Sequence, residues 1–467
     1  MNRQSHGLSR ERVQALRLTL IHPAIGHRQG ESYIRTWQME PLPAAAIAGL
    51  TPSDVALQFY DDRLEAIPFD EPTDAVVLSV ETYTAKRAYQ IASEYRRRKV
   101  PVVMGGFHAT LMPDEVARYA EAVVIGEAEP VWSNVVDDLR HGTLRKRYTA
   151  SRPATLDGIR VDRSIFVGKR YLPIGLVETG RGCKFPCEFC AIQSFFERTH
   201  RRRPIDDVKA ELLALRGKAK VFFFVDDNFA GDLAAAKELL AEMASLGIRW
   251  ITQMSINAAH DEEFLALLRR SGCMGVLIGF ESLNEANLRI MRKRFNTMRG
   301  GFSQALANLR RFSIRVYGTF VFGYEHDTVA SFDESVRFAI DEHLYIAAFN
   351  HLTPFPGTPL YERLEKAGRL RYGAWWLDPQ YRYNDVPFWP EQLSPQQLTA
   401  LCLQARRQFY SWGSIIQRAL KAPNRSDPFM LRNFLPINVM HRGDVDARNG
   451  YPLGDEAWAG QVLEATQ

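Results

Sequence analysis

Short, nearly continuous apolar runs alternate with helix-period segments over residues 16–148: LRLTLIHP, VALQFYDD, AVVLSVET, VPVVMGGF and AVVIGEAE. Strands of this kind suit a parallel sheet covered on both faces. AVVLSV leads into the helical pattern AKRAYQIASEYRRR, and VPVVMGG ends in two glycines. Ligands of such sheets lie beyond the carboxyl ends of the strands. Ser79, Thr82, Gly105, Gly106, His108, Gly126, Glu127 and Glu129 are therefore predicted to line one crevice.

Residues 149–170, of mixed charge and with Pro153, read as a linker. A second alternating series follows. Its strands are LPIGLVET, KVFFFVDD, IRWITQMS, GVLIGFES, RVYGTFVFG and IAAFNHLTP, with helices between them, including a long one predicted over 285–312. Asp261 is a candidate N-cap; Phe264, Leu267 and Leu268 form one apolar face, and Gly272 stops that helix. Six strand–helix repeats make a partial parallel barrel, whose chemistry belongs at the carboxyl ends of its strands. Residues 361–467 read as helical and aromatic, without strand alternation. The expected division is an α/β Rossmann-like domain over 1–150, a partial (β/α)6 barrel over 151–365 and a helical domain over 366–467.

No apolar run approaches the roughly 20 residues a membrane helix needs. The first residues carry charges but neither an apolar signal core nor a cleavage site, so a cytoplasmic protein is the expectation. A formal net charge of +5 over 467 residues gives no argument for nucleic acid. Five cysteines are present, and three of them, Cys183, Cys187 and Cys190, fall within eight residues. A clustered, odd set points to metal or redox chemistry rather than to disulfides. Cys273 and Cys402 stand in apolar contexts and read as ordinary core residues.

The segment ETGRGCKFPCEFC spaces its cysteines C-x3-C-x2-C directly after the first barrel strand. Three thiolates leave one iron of a [4Fe–4S] cubane open to an external chelate. A structural zinc site wants four protein ligands, and the nearest histidine, His200, lies ten residues on. Asp226, Asp227 and Asn228 end the second barrel strand, Ser255 the third and Glu281 the fourth. The two aspartates fit either a site or a cap for the next helix. Glu281 closes an apolar strand, where a carboxylate needs a polar partner. Arg201 and Arg203 fit either a carboxylate-binding role or a solvated face.

The cysteine motif and its context resemble the radical S-adenosylmethionine superfamily. That resemblance implies that Cys183, Cys187 and Cys190 hold the cluster, that Phe189 lies along the adenine, and that S-adenosylmethionine chelates the open iron. It implies that Asp226, Asp227, Asn228, Ser255 and Glu281 face S-adenosylmethionine, and that reductive cleavage yields a 5′-deoxyadenosyl radical. HLTPFPGTPLYERL (351–364) is similar to the family's sixth strand and exit turn. VVLSVETYTAKRAYQIA, VPVVMGGFHATLMPDEV and VVIGEAEPVW look like the cobalamin-binding domain of the cobalamin-dependent class, which includes enzymes of hopanoid, bacteriochlorophyll and antibiotic biosynthesis. The similarity spans roughly 16–365 and, more weakly, the tail FYSWGSIIQRALK. It implies cobalamin bound near Ser79, Thr82, Gly105, Gly106, His108, Gly126 and Glu127.

One departure stands out. Many cobalamin domains carry D-x-H-x-x-G, whose histidine binds cobalt from below; the matching strand here ends YDDRLEAI. Members of the radical class often lack the motif and still bind the cofactor, so both a cobalamin site and an inherited fold without its ligand stay open. The implied function is methyl transfer to an unreactive carbon of a small molecule, with flavodoxin or ferredoxin as reductant. The alternatives are transfer of another S-adenosylmethionine-derived group such as 3-amino-3-carboxypropyl, as in organoarsenical biosynthesis, radical cyclisation or oxidation, and a non-catalytic metal-binding module.

Overall fold

The computed structural model describes residues 15–297 and 301–465; the charged N-terminal stretch before residue 15 lies outside them. The first sheet contains strands β1 (Arg17–His22), β2 (Ala56–Asp61), β3 (Ala75–Ser79), β4 (Val102–Gly105), β5 (Ala122–Ile125) and β6 (Arg147–Thr149). All pairings are parallel, in the order β2-β1-β3-β4-β5-β6. This is a doubly wound sheet with its switch point between β1 and β3. Val76, Leu78, Val102 and Met104 face one apolar layer with Ala88, Ile91 and Ala92 of the helix Ala85–Arg97. Leu18, Leu20, Val77, Val103 and Val124 face the other. Burial on both faces explains why these strands read as unbroken apolar runs rather than as alternation.

The second sheet is parallel throughout: β7 (Ile174–Val177), β8 (Val221–Phe224), β9 (Trp250–Gln253), β10 (Cys273–Glu281), β11 (Arg315–Phe322) and β12 (Ile346–His351), in sequential order. Phe222, Phe224, Trp250, Val276, Ile278, Phe320 and Phe349 are buried under the surrounding helices. The alternate positions Phe223, Gln253, Leu277, Thr319 and Ala348 are only half-buried. The sheet therefore curves around an open lumen instead of a packed one. Asp261 accepts from the Phe264 amide at 2.8 Å and caps its helix, and Gly272 leaves that helix with φ +92°. Cys273 and Cys402 are buried in the barrel's core.

One expectation is corrected. The long helix predicted over 285–312 is two helices, Glu285–Ile290 and Gly301–Arg311, with a 3-10 turn at Arg294–Thr297; residues 298–300 lie outside the described residues. Arg292 takes the left-handed conformation (φ +59°) and the Lys293 amide bonds back to the Leu288 carbonyl at 2.8 Å, a Schellman-type stop. The region after 366 is mainly helical and adds three two-residue strands. Arg382–Tyr383 pairs antiparallel with Tyr451–Pro452, and Gly454–Asp455 pairs parallel with Gly26–His27. Trp375, Trp376, Tyr381 and Leu453 join the core of the first domain, whereas the helices Trp412–Ala419 and Pro428–Arg448 pack on the barrel. Among the described residues no helix is long and apolar enough to cross a membrane.

Candidate active site

The cysteine loop leaves the carboxyl end of β7 and is braced from three sides. A short hairpin, Gly180–Gly182 with His200–Arg202, frames it. Asp226, at the end of β8, is buried; it accepts from the Thr179 amide at 2.7 Å, from the Thr179 hydroxyl, and from Arg202 at 3.3 Å. Asp227 accepts from the amide of Gly182, the residue before Cys183, at 2.7 Å. Burial, with Asp226 and Glu178 nearby, pushes Asp227 up to about 7. Neither aspartate caps the next helix; Asp232 does, accepting from the Ala235 amide. Both therefore shape the loop.

Cys183, Cys187 and Cys190 are free thiols that feel one another's charge. Burial raises all three, Cys187 to about 12 and Cys190 to about 11. Three thiolates on one short loop, each able to take its own iron, are a donor set that fits a cubane cluster with one iron left open. The Asn228 amide stands 3.8 Å from Cys183 Sγ as donor, and its oxygen accepts from the Ser255 amide (3.1 Å) and hydroxyl (3.2 Å). Asn228 and Ser255 are thus coupled to a cluster ligand. Phe189 packs half-buried against the barrel core, and Phe185 stacks on Phe295 with ring centroids 3.8 Å apart. Glu188, between the cysteines, is held by Arg363 at 2.7 Å.

Glu281 ends β10 at a register shift, in the left-handed conformation (φ +62°). Its carboxylate folds back over Gly279 and accepts from Lys293 Nζ at 2.5 Å. A Cβ on Gly279 would lie 2.0 Å from Glu281 Oε1, so the ion pair needs glycine there. Lys293 also donates to the Gly279 carbonyl at 3.0 Å. Burial opposes its charge, but Glu281 and Cys187 outweigh burial and hold the ammonium above its ordinary range. Lys293 was missed in the sequence. The signal available was the need of Glu281 for a partner, but the partner lies twelve residues away, beyond a helix stop.

The first sheet meets the barrel carboxyl end to carboxyl end. Phe107, after β4, packs on Phe195, just after Cys190, with centroids 4.4 Å apart. Glu127, after β5, bonds Arg181 (2.9 Å), Arg201 (2.8 Å) and the Ala154 amide (2.9 Å). Arg181 also reaches Glu129 at 2.7 Å and Glu178 at 2.9 Å. Arg203 pairs with Glu211 at 2.6 Å. Arg181, Arg201 and Arg203 thus meet carboxylates of this chain, and Glu127 ties the two domains together.

Other members of the expected crevice have partners within the chain. His108 is fully buried, with Nδ1 3.3 Å from Thr82 Oγ1 and Nε2 3.1 Å from Glu115 Oε1; Trp376 shares that carboxylate. His108 and Thr82 are therefore enclosed, because Glu115 draws the imidazole inward. Gly106 (φ +104°) sits where a Cβ would lie 2.8 Å from the Val80 carbonyl, so close backbone packing requires it. Ser79, Gly105 and Gly126 differ: they are partly exposed, at or just past the ends of strands that are otherwise largely buried. A Cβ on Gly126 would meet nothing within 4 Å. This open backbone floor fits a broad ligand at close approach. The YDDRLEAI strand end is closed, since Asp61 is bound by Arg63 and Asp62 by Arg87, each within 2.9 Å.

A family model described as the radical SAM superfamily matches residues 177–339. The chain is 31% identical over 394 residues to bacteriochlorophyllide d C-12(1)-methyltransferase of Chlorobaculum tepidum, covering 82% of this chain and 85% of that one. It is 25% identical to the hopanoid C-2 methylase of Rhodopseudomonas palustris, over 71% of this chain and 65% of that one. In fold it is similar to TsrM of Kitasatospora setae, a radical S-adenosylmethionine methyltransferase solved with cobalamin and a [4Fe–4S] cluster bound: TM-score 0.63, 17% identity, 93% of this chain and 100% of that one. The barrel, its cysteine loop and these likenesses together lead to one assignment: the chain belongs to the radical S-adenosylmethionine superfamily, in the class that carries a cobalamin-binding-type domain ahead of the barrel.

Proposed function

We propose that the chain transfers the methyl group of S-adenosylmethionine to an unreactive carbon of a small molecule, using a [4Fe–4S] cluster and cobalamin. The observation that carries this reading is the meeting of the two sheets at their carboxyl ends, with Phe107 on Phe195 and Glu127 on Arg181 and Arg201. Cofactors at the two sheet ends would share one crevice. The extent of the likeness to a named methyltransferase, across both domains, supports the same reading. When bound, the cluster supplies the electron that cleaves S-adenosylmethionine, and the corrinoid supplies a methyl carrier.

In this reading Cys183, Cys187 and Cys190 ligate the cluster. Asn228, fixed by Ser255, donates toward Cys183 and stabilises its negative charge. Phe189 lies along the adenine. Glu281, steadied by Lys293, meets S-adenosylmethionine at the lumen face, and Asp226 and Asp227 keep the loop in shape for it. Ser79, Gly105 and Gly126 form the floor beneath cobalamin, while Gly106, Thr82, His108 and Glu127 fix the surrounding turns. The chain divides near residues 150 and 365, with the end of the tail joining the first domain. The reductant is a flavodoxin or ferredoxin, no nucleic acid takes part, and the cytoplasm, where free thiols persist, is the site of action.

The test is anaerobic reconstitution with iron, sulfide and hydroxocobalamin, followed by desalting. Stoichiometric corrinoid retained beside the cluster supports the reading. A cluster without corrinoid would make the first domain a scaffold and move the reading to transfer of another S-adenosylmethionine-derived group.

A further inference from the structure

Away from the crevice, the last two helices leave a large apolar surface uncovered. The described residues include eleven large apolar side chains that are exposed, and six of them lie on or just beyond these two helices. Trp412, Ile416 and Leu420 follow at i, i+4, i+8 on and just beyond Trp412–Ala419. Leu431, Leu435 and Val439 repeat that spacing on Pro428–Arg448. All six are between 39% and 61% exposed. Such spacing lays each set along one stripe of its helix.

The stripes are neighbours. Arg442, on the stripe of Leu435 and Val439, lies over the Trp412 ring at 5.6 Å. At the other end of the shorter helix, Arg418 bonds Asn438 at 3.0 Å and lies over Phe434 at 5.6 Å. The helices therefore run antiparallel, and their exposed stripes form one face. Beneath it, Ile415, Met430 and Phe434 pack on Met274 and Tyr345, at the amino-terminal ends of the barrel strands. The face thus points away from the cysteine loop.

Its charge selects an occupant. Residues 412–448 contain Arg418, Lys421, Arg425, Arg432, Arg442 and Arg448 against Asp427, Asp444 and Asp446; Arg418 is buried, Asp427 caps the longer helix, and Asp446 is paired with Arg407. Lys421, Arg425, Arg432 and Arg442 are exposed around the stripes. A second copy docked about a twofold axis would set this basic rim against itself. An apolar face with a tryptophan, rimmed by arginine and lysine, matches the interface of an anionic bilayer. The helices carry too many charges to span it. We infer that this face seats the protein on an anionic lipid surface, with the catalytic crevice held away from the lipid.

The experiment is co-sedimentation of the full chain with vesicles of phosphatidylcholine alone or with phosphatidylglycerol. Binding should appear with phosphatidylglycerol, be roughly tenfold or more weaker on phosphatidylcholine, and weaken in salt. Ile416→Glu with Leu435→Glu should abolish it, while iron content and reductive cleavage of S-adenosylmethionine stay unchanged. Both positions are more than half exposed, so the variant should fold. Lys421→Gln with Arg432→Gln should remove the phosphatidylglycerol preference. No vesicle binding, or equal binding by the Ile416→Glu/Leu435→Glu variant, overturns the inference. So does a dimer in sedimentation velocity that the same variant dissolves, since the face would then belong to a second copy.

Discussion

Lys293 Nζ sits 2.5 Å from Glu281 Oε1, and the pair lies over Gly279, where a side chain would displace it. One partner comes from a strand end and the other from a segment past a helix stop, and Cys187 is close enough to bias the ammonium. The pair thus couples the fourth strand end to the cysteine loop.

Removing one partner leaves the other buried and uncompensated, at a cost of about 3–5 kcal/mol. Glu281→Ala should therefore weaken S-adenosylmethionine binding and also lower stability. Glu281→Gln combined with Lys293→Met should recover much of the stability but not the affinity. Denaturant unfolding together with calorimetry of S-adenosylmethionine binding separates the two effects; full affinity in the double variant would reassign Glu281 to structure.

Asn228→Leu removes the donor facing Cys183 while keeping side-chain volume. A hydrogen bond to a cluster ligand stabilises the reduced, more negative state. The variant should keep its iron and show a more negative cluster potential in an anaerobic titration. An unchanged potential would leave Asn228 as a support for Ser255 alone.

Gly106→Val is a poor probe of cofactor binding, because its Cβ meets the Val80 carbonyl and its φ is +104°. Such strain costs on the order of 1–3 kcal/mol. Ser79→Tyr, at a partly exposed strand end, tests the crevice without that penalty. Corrinoid retention should fall at least tenfold with iron unchanged; full retention would move the cofactor off this floor.

His351 is buried, and burial lowers it to about 4. The unfolded chain takes up that proton near 6.5. Its contribution is fully present above about pH 6.5 and falls as pH drops toward 4. At pH 5 the loss is about 2 kcal/mol. His351→Gln should flatten the decline in melting temperature between pH 6.5 and 5; an unaltered slope would show that other groups govern acid stability.

The strands and the cysteine loop were legible because their signals are local: apolar runs closed by turns, and three thiols within eight residues. The helix break at Arg292 was less so, since a left-handed arginine leaves no mark as strong as glycine would. The roles of Glu127 and His108 could not be read either. Both sit at the expected strand ends, but Arg181, Arg201 and Glu115 claim them through contacts that only the folded chain creates. The pairing of Gly454–Asp455 with Gly26–His27 joins two-residue strands over 400 residues apart, too short to leave a periodic pattern.

Which piece of S-adenosylmethionine moves decides the function. The decisive measurement supplies the reconstituted enzyme and substrate with S-adenosylmethionine labelled either in the methyl group or in the methionine backbone carbons, and analyses product and coproduct by mass spectrometry. Methyl transfer predicts methyl label in the product, none from the backbone, and S-adenosylhomocysteine released. Backbone label in the product, with 5′-methylthioadenosine as coproduct, would contradict it.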